Sequence, residues 1–323
     1  MTSSDELHVV FGTAALGQAV MRDLVRRGKR VRMVSRGGKI SAPVEPVPSG
    51  VECVRGDASD ALSVQSVCEG ATTVYNCAAP PYTDWARLYP PIQHALIEGV
   101  GKVGAKLVSA ESVYMYGPVD GPMTEDLPYV AQTRKGQIRA EMANELMQAH
   151  KEGRVRATIG RAPDFYGPGA AVTTIYGERV FNPALQGKKV AVMGKLDNPH
   201  TFIFIDDFGR GLATLGERDE ALGQVWHLPC APTPTQRELL TLIFQAAQKP
   251  PKMGETPAFV FKMLSPVVPI MRELSELLYQ WEKPYHFNHD KFDRAFGPQI
   301  TPHTEAVAKT VEWFRDQASK GSA

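Results

Sequence analysis

His8-Val9-Val10-Phe11-Gly12-Thr13-Ala14-Ala15-Leu16-Gly17 is the stretch on which the fold turns. A short apolar run feeds a turn of small residues, and a helical pattern begins at once. Gly12, Ala14 and Gly17 stand at the three marked positions of a G-x-G-x-x-G turn, with alanine in the middle one. In such a turn the first glycine permits a tight bend. The second lets backbone approach a pyrophosphate, and the third lets the helix pack close to the strand. Phosphate oxygens then meet free N–H groups at the helix N-terminus. Ala14 adds a methyl group where the backbone nears the pyrophosphate, a crowding the turn tolerates.

Strand and helix patterns alternate downstream. Val9–Phe11 reads as the first strand. The helix Gly17–Arg27 follows, with Ala19, Val20, Leu24 and Val25 on one face. Gly28 ends it, as a glycine just past a helix does. Val31–Ser35 is a second strand, a Pro-rich connection covers 39–50, and Val51–Val54 is a third strand. A helix over Leu62–Cys68, a strand over Thr73–Cys77, a helix over Pro90–Gly101 and a strand over Lys106–Ser109 come next. After a loop over Gly117–Thr133, a long helix spans Gly136–Lys151 and a strand spans Arg156–Gly160. The pattern predicts an α/β fold, a Rossmann-like doubly wound parallel sheet.

Beyond it the chain changes character. Residues 170–198 are broken by Gly and Pro, which suits a lid or small lobe. Thr201–Asp207 reads as a strand running into a helix that ends at Leu215, and Val225–Leu228 is a late strand. Thr235 and Glu238 form a capping box. An apolar helical region over 258–279 is interrupted at Pro266 and Pro269, and Thr304–Gln317 is a terminal helix. Residues 1–165 are expected to form the dinucleotide-binding domain, with 200–228 returning to it. Residues 166–199 and 229–323 form a smaller, mostly helical substrate lobe.

Of the 323 residues, 43% are hydrophobic and 22% charged, an ordinary globular composition. A net charge of +1 gives no field for nucleic acid or an anionic membrane surface, so neither partner is expected. Cys53, Cys68, Cys77 and Cys230 form no C-x-x-C pair and no Cys/His cluster. His286 and His289 lack a third ligand, so no metal site is expected. The polar N-terminus over Met1–Glu6 is not a secretory signal, and with the free thiols it points to the cytoplasm.

Seven landmarks recur in a fixed order. They are the Gly12–Gly17 turn, Gly56-Asp57, Asn76-Cys77-Ala78-Ala79, Ser109-Ala110-Glu111-Ser112, Tyr116-Gly117, Phe165-Tyr166-Gly167-Pro168-Gly169 and Phe202-Ile203-Phe204-Ile205-Asp206-Asp207. In these the chain resembles the extended short-chain dehydrogenase/reductase superfamily, of the NAD-dependent epimerase/dehydratase type. The resemblance implies a nicotinamide cofactor held by Gly12, Thr13, Ala14, Ala15, Leu16 and Gly17, and by Cys77, Ala78, Ala79, Ala162 and Pro163. Asp57 and Ala58 would flank the adenine. NAD enzymes carry an acid at the end of the second strand, whereas an arginine accommodates a 2′-phosphate. Here Ser35 and Arg36 stand there, so NADP is expected rather than NAD.

The catalytic motif of that family departs. It needs Tyr-x-x-x-Lys on the helix after the loop, working with a Ser or Thr after the fifth strand. Ser112 matches the latter position. On the helix, Lys135 stands at the Tyr position and Arg139 at the Lys position. Arg139 suits a ribose but cannot shuttle a proton, since guanidinium stays protonated. The proton donor is left among Lys135, Tyr114, Tyr116 and Tyr129. The family's phosphate-gripping arginines are missing, with Asn198-Pro199-His200 and Glu282-Lys283-Pro284 in their places. Asp164 replaces a pocket-facing Asn and, with Tyr114, Tyr166 and His200, is a candidate substrate contact. The expected function is NADP(H)-dependent hydride transfer to or from a carbonyl or alcohol of a small, relatively apolar molecule. The alternatives are an epimerase or dehydratase with tightly bound, recycled NAD(P), and a catalytically silent NADP-binding sensor or structural protein. The family's habit of pairing subunits suggests a homodimer through Pro90–Gly101 and Gly136–Lys151.

Overall fold

Val9, Val10 and Phe11 are buried on both faces of their strand, the pattern of a central strand in a covered parallel sheet. The computed structural model describes residues 6–40, 42–257, 259–260, 263, 271, 273 and 275–320. Its main sheet has seven strands in the order β10-β6-β5-β4-β1-β2-β3. These are β1 (Leu7–Phe11), β2 (Arg30–Ser35), β3 (Glu52–Arg55), β4 (Ala71–Asn76), β5 (Lys106–Glu111), β6 (Arg156–Arg161) and β10 (Val225–His227). Every pairing between them is parallel. Strand order reverses between β1 and β4, which opens a crevice at their carboxyl ends, where such sheets take ligands.

α1 (Ala15–Arg26) and α6 (Ile205–Glu217) pack together on one face. α2 (Ala61–Val67), α3 (Trp85–Val103) and α4 (Arg134–Lys151) supply the other helices of this region. Gly28, at φ +74°, takes the left-handed conformation beyond α1. α3 begins at Trp85, earlier than the expected Pro90, and carries Pro90 and Pro91 inside it. Burial of Trp85 and Tyr89 against α4 outweighs the backbone donors that the prolines remove.

The remaining strands form two pairs. β7 (Asp164–Tyr166) lies beside β9 (Phe202–Phe204), and β8 (Val190–Met193) beside β11 (Met253–Thr256). β9 is shorter than expected, because α6 begins at Ile205. Asp206 and Asp207 therefore sit in the first helical turn, where carboxylates oppose the helix dipole. Asp206 pairs with Arg22, and Asp207 accepts from the Thr301 N–H at 2.7 Å and from Arg210 at 2.7 Å. Residues 170–198 are not a bare lid. They hold α5 (Glu178–Leu185) and β8, which bury Phe181 and Val190 in a second core with α7 (Gln236–Ala246) and the terminal helix His303–Lys320. The Thr235–Glu238 capping box starts α7. Most of the apolar region 258–279 lies outside the described residues. Among the described residues no helix is long and apolar enough to cross a membrane.

At the amino ends of the strands, His8 Nδ1 meets the Tyr75 hydroxyl at 3.0 Å. Burial, with the nearby Lys29 charge, lowers the His8 pKa from 6.5 to about 4.

Candidate active site

The turn after β1 is shaped by close backbone approach. Gly12 has φ +100°, and a Cβ there would lie 2.6 Å from the Cys77 carbonyl oxygen. A Cβ on Gly17 would overlap the Gly12 carbonyl oxygen. Ala14 precedes α1 in extended conformation with no capping side chain, and the first turn has no acidic residue. Thr13, Ala14, Ala15 and Leu16 thus present a helix N-terminus suited to an anion. The Gln18 side chain straps the β2–β3 connection across this end. Its amide donates to Thr13 O (2.9 Å) and Ala42 O (3.0 Å), and its oxygen accepts the Val44 N–H (2.7 Å).

At the end of β2, the Ser35 hydroxyl donates to the Lys39 carbonyl at 2.9 Å, and Arg36 is exposed in the turn between them. Asp57 accepts from the Ser59 hydroxyl (2.6 Å) and N–H (2.9 Å), which, with Arg36 nearby, hold it below the usual carboxylate range. Ala58 follows it. Cys77 donates its N–H to Phe11 O at 2.9 Å, and burial pushes its thiol up. Ala78 and Ala79 follow β4, and Ala162 and Pro163 follow β6, both at the carboxyl edge of the sheet.

A second wall of the candidate site is built from α3, α4 and the end of β5. Lys135 and Arg139, one turn apart on α4, are both buried. The Arg139 guanidinium lies over the rings of Tyr89 (4.2 Å) and Trp85 (4.6 Å), and donates to the Tyr89 hydroxyl at 2.5 Å. The Lys135 ammonium pairs with Glu273 and stands 5.1 Å from the centre of the Tyr82 ring. The Tyr82 and Tyr114 hydroxyls meet at 2.6 Å. Two buried polar atoms here, Ser112 Oγ and Arg139 Nε, have no hydrogen-bond partner among the described residues.

Tyr116 is placed differently. Its hydroxyl bonds His227 Nε2 (2.8 Å) and accepts from Arg161 (2.7 Å), which also reaches the Tyr129 hydroxyl at 2.5 Å. Arg161 faces Glu111 at 3.4 Å, with both side chains fully buried. Burial pushes the Glu111 carboxyl up despite this partner, and pushes Tyr116 up as well. Tyr116 and Tyr129 thus belong to a buried network behind β5, not to the Lys135 wall.

On the substrate side, Asp164 Oδ2 meets His200 Nε2 at 2.8 Å. The His200 ring is sandwiched between Trp281 (3.9 Å) and Tyr285 (4.4 Å), almost parallel to both. Tyr166 is turned away, and its hydroxyl meets His303 Nδ1 at 2.9 Å inside the second core. The structure therefore links Lys135 to Tyr114 through Tyr82, with Arg139 one turn on and Asp164, the partner of His200, near the two phenols. Ser112 stands two residues before Tyr114, and Tyr116 and Tyr166 are bonded elsewhere. Sequence reasoning missed Tyr82, Trp85, Tyr89 and Glu273. The only signal for the first three was their helical spacing.

The two ends fit a nicotinamide dinucleotide. The cradle is one that a Cβ would fill, and the far end keeps two unpaired buried polar atoms. Among the described residues no group of three metal-ligating side chains occurs.

The model of the NAD dependent epimerase/dehydratase family matches residues 9–228. A curated relative, sterol-4-alpha-carboxylate 3-dehydrogenase, decarboxylating, from Mus musculus, is 24% identical and covers 95% of this chain and 90% of its own length. An epimerase from Methanothermobacter thermautotrophicus superposes with a TM-score of 0.80 at 18% identity, covering 98% of this chain and 94% of that one. dTDP-glucose 4,6-dehydratase from Bacillus anthracis, in complex with NAD, superposes at 0.78 with 15% identity, covering 97% and 98%. At such identities the solved structures speak to the fold.

Proposed function

The chain belongs to the NAD dependent epimerase/dehydratase family, and from that premise we propose that it is an NADP(H)-dependent oxidoreductase acting on a carbonyl or alcohol of a small, largely apolar molecule. The observation that carries this reading is the chemistry of the substrate side. A diphosphate there would meet the Asp164 carboxylate, and the residues around it are the aromatic Tyr82, Tyr114, Trp281 and Tyr285. Aromatic surroundings suit an apolar ligand oriented by a few hydrogen bonds. The mouse relative, named as acting on a sterol carboxylate, supports the same direction.

Bound nicotinamide supplies a hydride donor or acceptor at one ring carbon. Gly12 to Gly17 would hold the diphosphate. Arg36 would take the 2′-phosphate, a group that an arginine fork recognises with two parallel bonds. Arg139 Nε, which has no partner among the described residues, would donate to the ribose beside the nicotinamide, and Ser112 Oγ would donate to the substrate oxygen. The Lys135–Glu273 pair closes the wall to water.

Fluorescence titration tests the cofactor half. NADPH is expected to bind about tenfold more tightly than NADH, and Arg36→Ala to erase the difference. Equal affinities in the parent protein would overturn the NADP assignment. Net consumption of NADPH with an uncharged ketone tests the chemistry. A protein that purifies with bound nucleotide and never consumes it would favour the recycled-cofactor reading, for which the Gln18 strap over the α1 end speaks.

A further inference from the structure

The helix that should carry the catalytic tyrosine has none, yet a phenol stands in the same wall. Tyr82 comes from the 3-10 turn Tyr82–Asp84, after β4 and three residues beyond the cofactor segment that ends at Ala79. β4 and β5 are neighbours in the sheet, so Tyr82 and Ser112 leave adjacent strand ends at the carboxyl edge. The Tyr82 hydroxyl meets that of Tyr114, two residues from Ser112, at 2.6 Å. Its ring lies beneath the Lys135 ammonium at 5.1 Å. Tyr82 thus has two supports for a phenolic acid: a second hydroxyl hydrogen-bonded to its oxygen, and a cation over its ring.

Resting on the oxidoreductase reading above, we propose that Tyr82 is the proton donor of the site, with Tyr114 and Lys135 as its positioning residues. In the reducing direction the carbonyl oxygen gains the charge of an alkoxide as its carbon takes the hydride. The O–H bond of Tyr82 breaks, its proton bonds to that oxygen, and the electron pair stays on the phenolate. Tyr114 donates to the phenolate, Lys135 stands over its ring, and water returns the proton afterwards. An alkoxide is a stronger base than a phenolate, so the transfer runs downhill. Burial pushes both phenols up, so both are protonated at neutral pH. The Tyr114 hydrogen bond and the Arg139 charge pull Tyr82 back, whereas Asp164 pushes both up. Of the two phenols it is Tyr82 whose ring lies beneath the Lys135 ammonium, which favours its phenolate. Lys135 is the poorer donor, because its ammonium is already held by Glu273.

The test compares the full chain with Tyr82→Phe, Tyr114→Phe and Lys135→Met, using NADPH and 2,2,2-trifluoroacetophenone as the probe. Tyr82→Phe should lower kcat about 100-fold or more, with NADPH affinity unchanged. Tyr114→Phe should lower it less. If Tyr82→Phe fails to fold, 3-fluorotyrosine at position 82 keeps the hydroxyl and should move the alkaline limb of kcat to lower pH. A second readout needs no turnover. In ¹³Cζ-tyrosine spectra of the protein without nucleotide, the Tyr82 resonance should shift in both Tyr114→Phe and Lys135→Met. A Tyr82→Phe protein within about threefold of the parent in kcat, or a Tyr82 resonance unmoved by either partner, overturns the proposal. A parent that binds NADPH without reducing any ketone defeats the oxidoreductase reading first, and the donor role with it.

Discussion

The Gly12–Gly17 turn and the wall around Lys135 are held by different means. Around Gly12 and Gly17 the contacts are main chain on main chain, with a Cβ at Gly12 excluded by a carbonyl oxygen 2.6 Å away. Around Lys135 and Arg139 the contacts are cations on aromatic rings, drawn from α3, α4 and the 3-10 turn before α3. A backbone fit admits only glycine at Gly12 and Gly17. A fit of side chains admits several solutions, provided that volume and charge are kept together. That is why the family's small-residue turn persists here while its tyrosine and lysine do not.

The sharpest way to break this contrast is Gly17→Ala. Its methyl group meets the Gly12 carbonyl oxygen, which cannot move without moving β1. The expected cost exceeds about 4 kcal/mol, seen as loss of soluble protein or of the thermal transition. A variant that folds and binds NADPH normally would show that the turn is as tolerant as the wall. Next comes Arg161→Met, behind the wall. It leaves Glu111 buried without its cation, at a cost of about 3–5 kcal/mol in urea unfolding. Adding Glu111→Leu should recover much of that loss, because packing rather than charge holds this side.

Acid probes the floor beneath the turn. His8 has its pKa lowered from 6.5 to about 4 in the folded chain. Its contribution is therefore complete above pH 6.5 and disappears as pH falls through that window, because the unfolded chain takes up the proton first. The loss amounts to about 3 kcal/mol. His8→Gln should flatten that limb of the stability curve. An unchanged slope in denaturant titrations at pH 4 to 7 would show that the His8–Tyr75 contact is not what acid attacks.

Much of the frame could be read from the chain. Gly28, with its left-handed φ, and the Thr235–Glu238 capping box are local signals that act within a few residues. The parallel sheet follows from strands buried on both faces. What the sequence hid depends on distance along the chain. Tyr82 and Tyr114 are 32 residues apart, and Lys135 reaches a carboxylate at position 273. Nothing local marks such pairs. The start of α3 was hidden by Pro90 and Pro91, which read as a boundary until Trp85 and Tyr89 are seen packed on α4. Gly177, Pro183 and Gly187 masked α5 in the same way, although Val180, Phe181 and Ala184 trace its buried face. In the candidate site, residue type at Lys135 and Arg139 announced a departure, but only the packing showed which aromatic residues surround them.

The Gln18 strap gives the β2–β3 connection an unusual clock. Val44 lies in an irregular loop, yet its amide is buried and bonded to a side chain of α1 at 2.7 Å. Loop amides ordinarily trade hydrogen with solvent quickly, because little must open to free them. This one trades only when the loop lifts from the helix. Deuterium uptake at a single residue therefore times the opening of the segment that lies over the N-terminal end of α1.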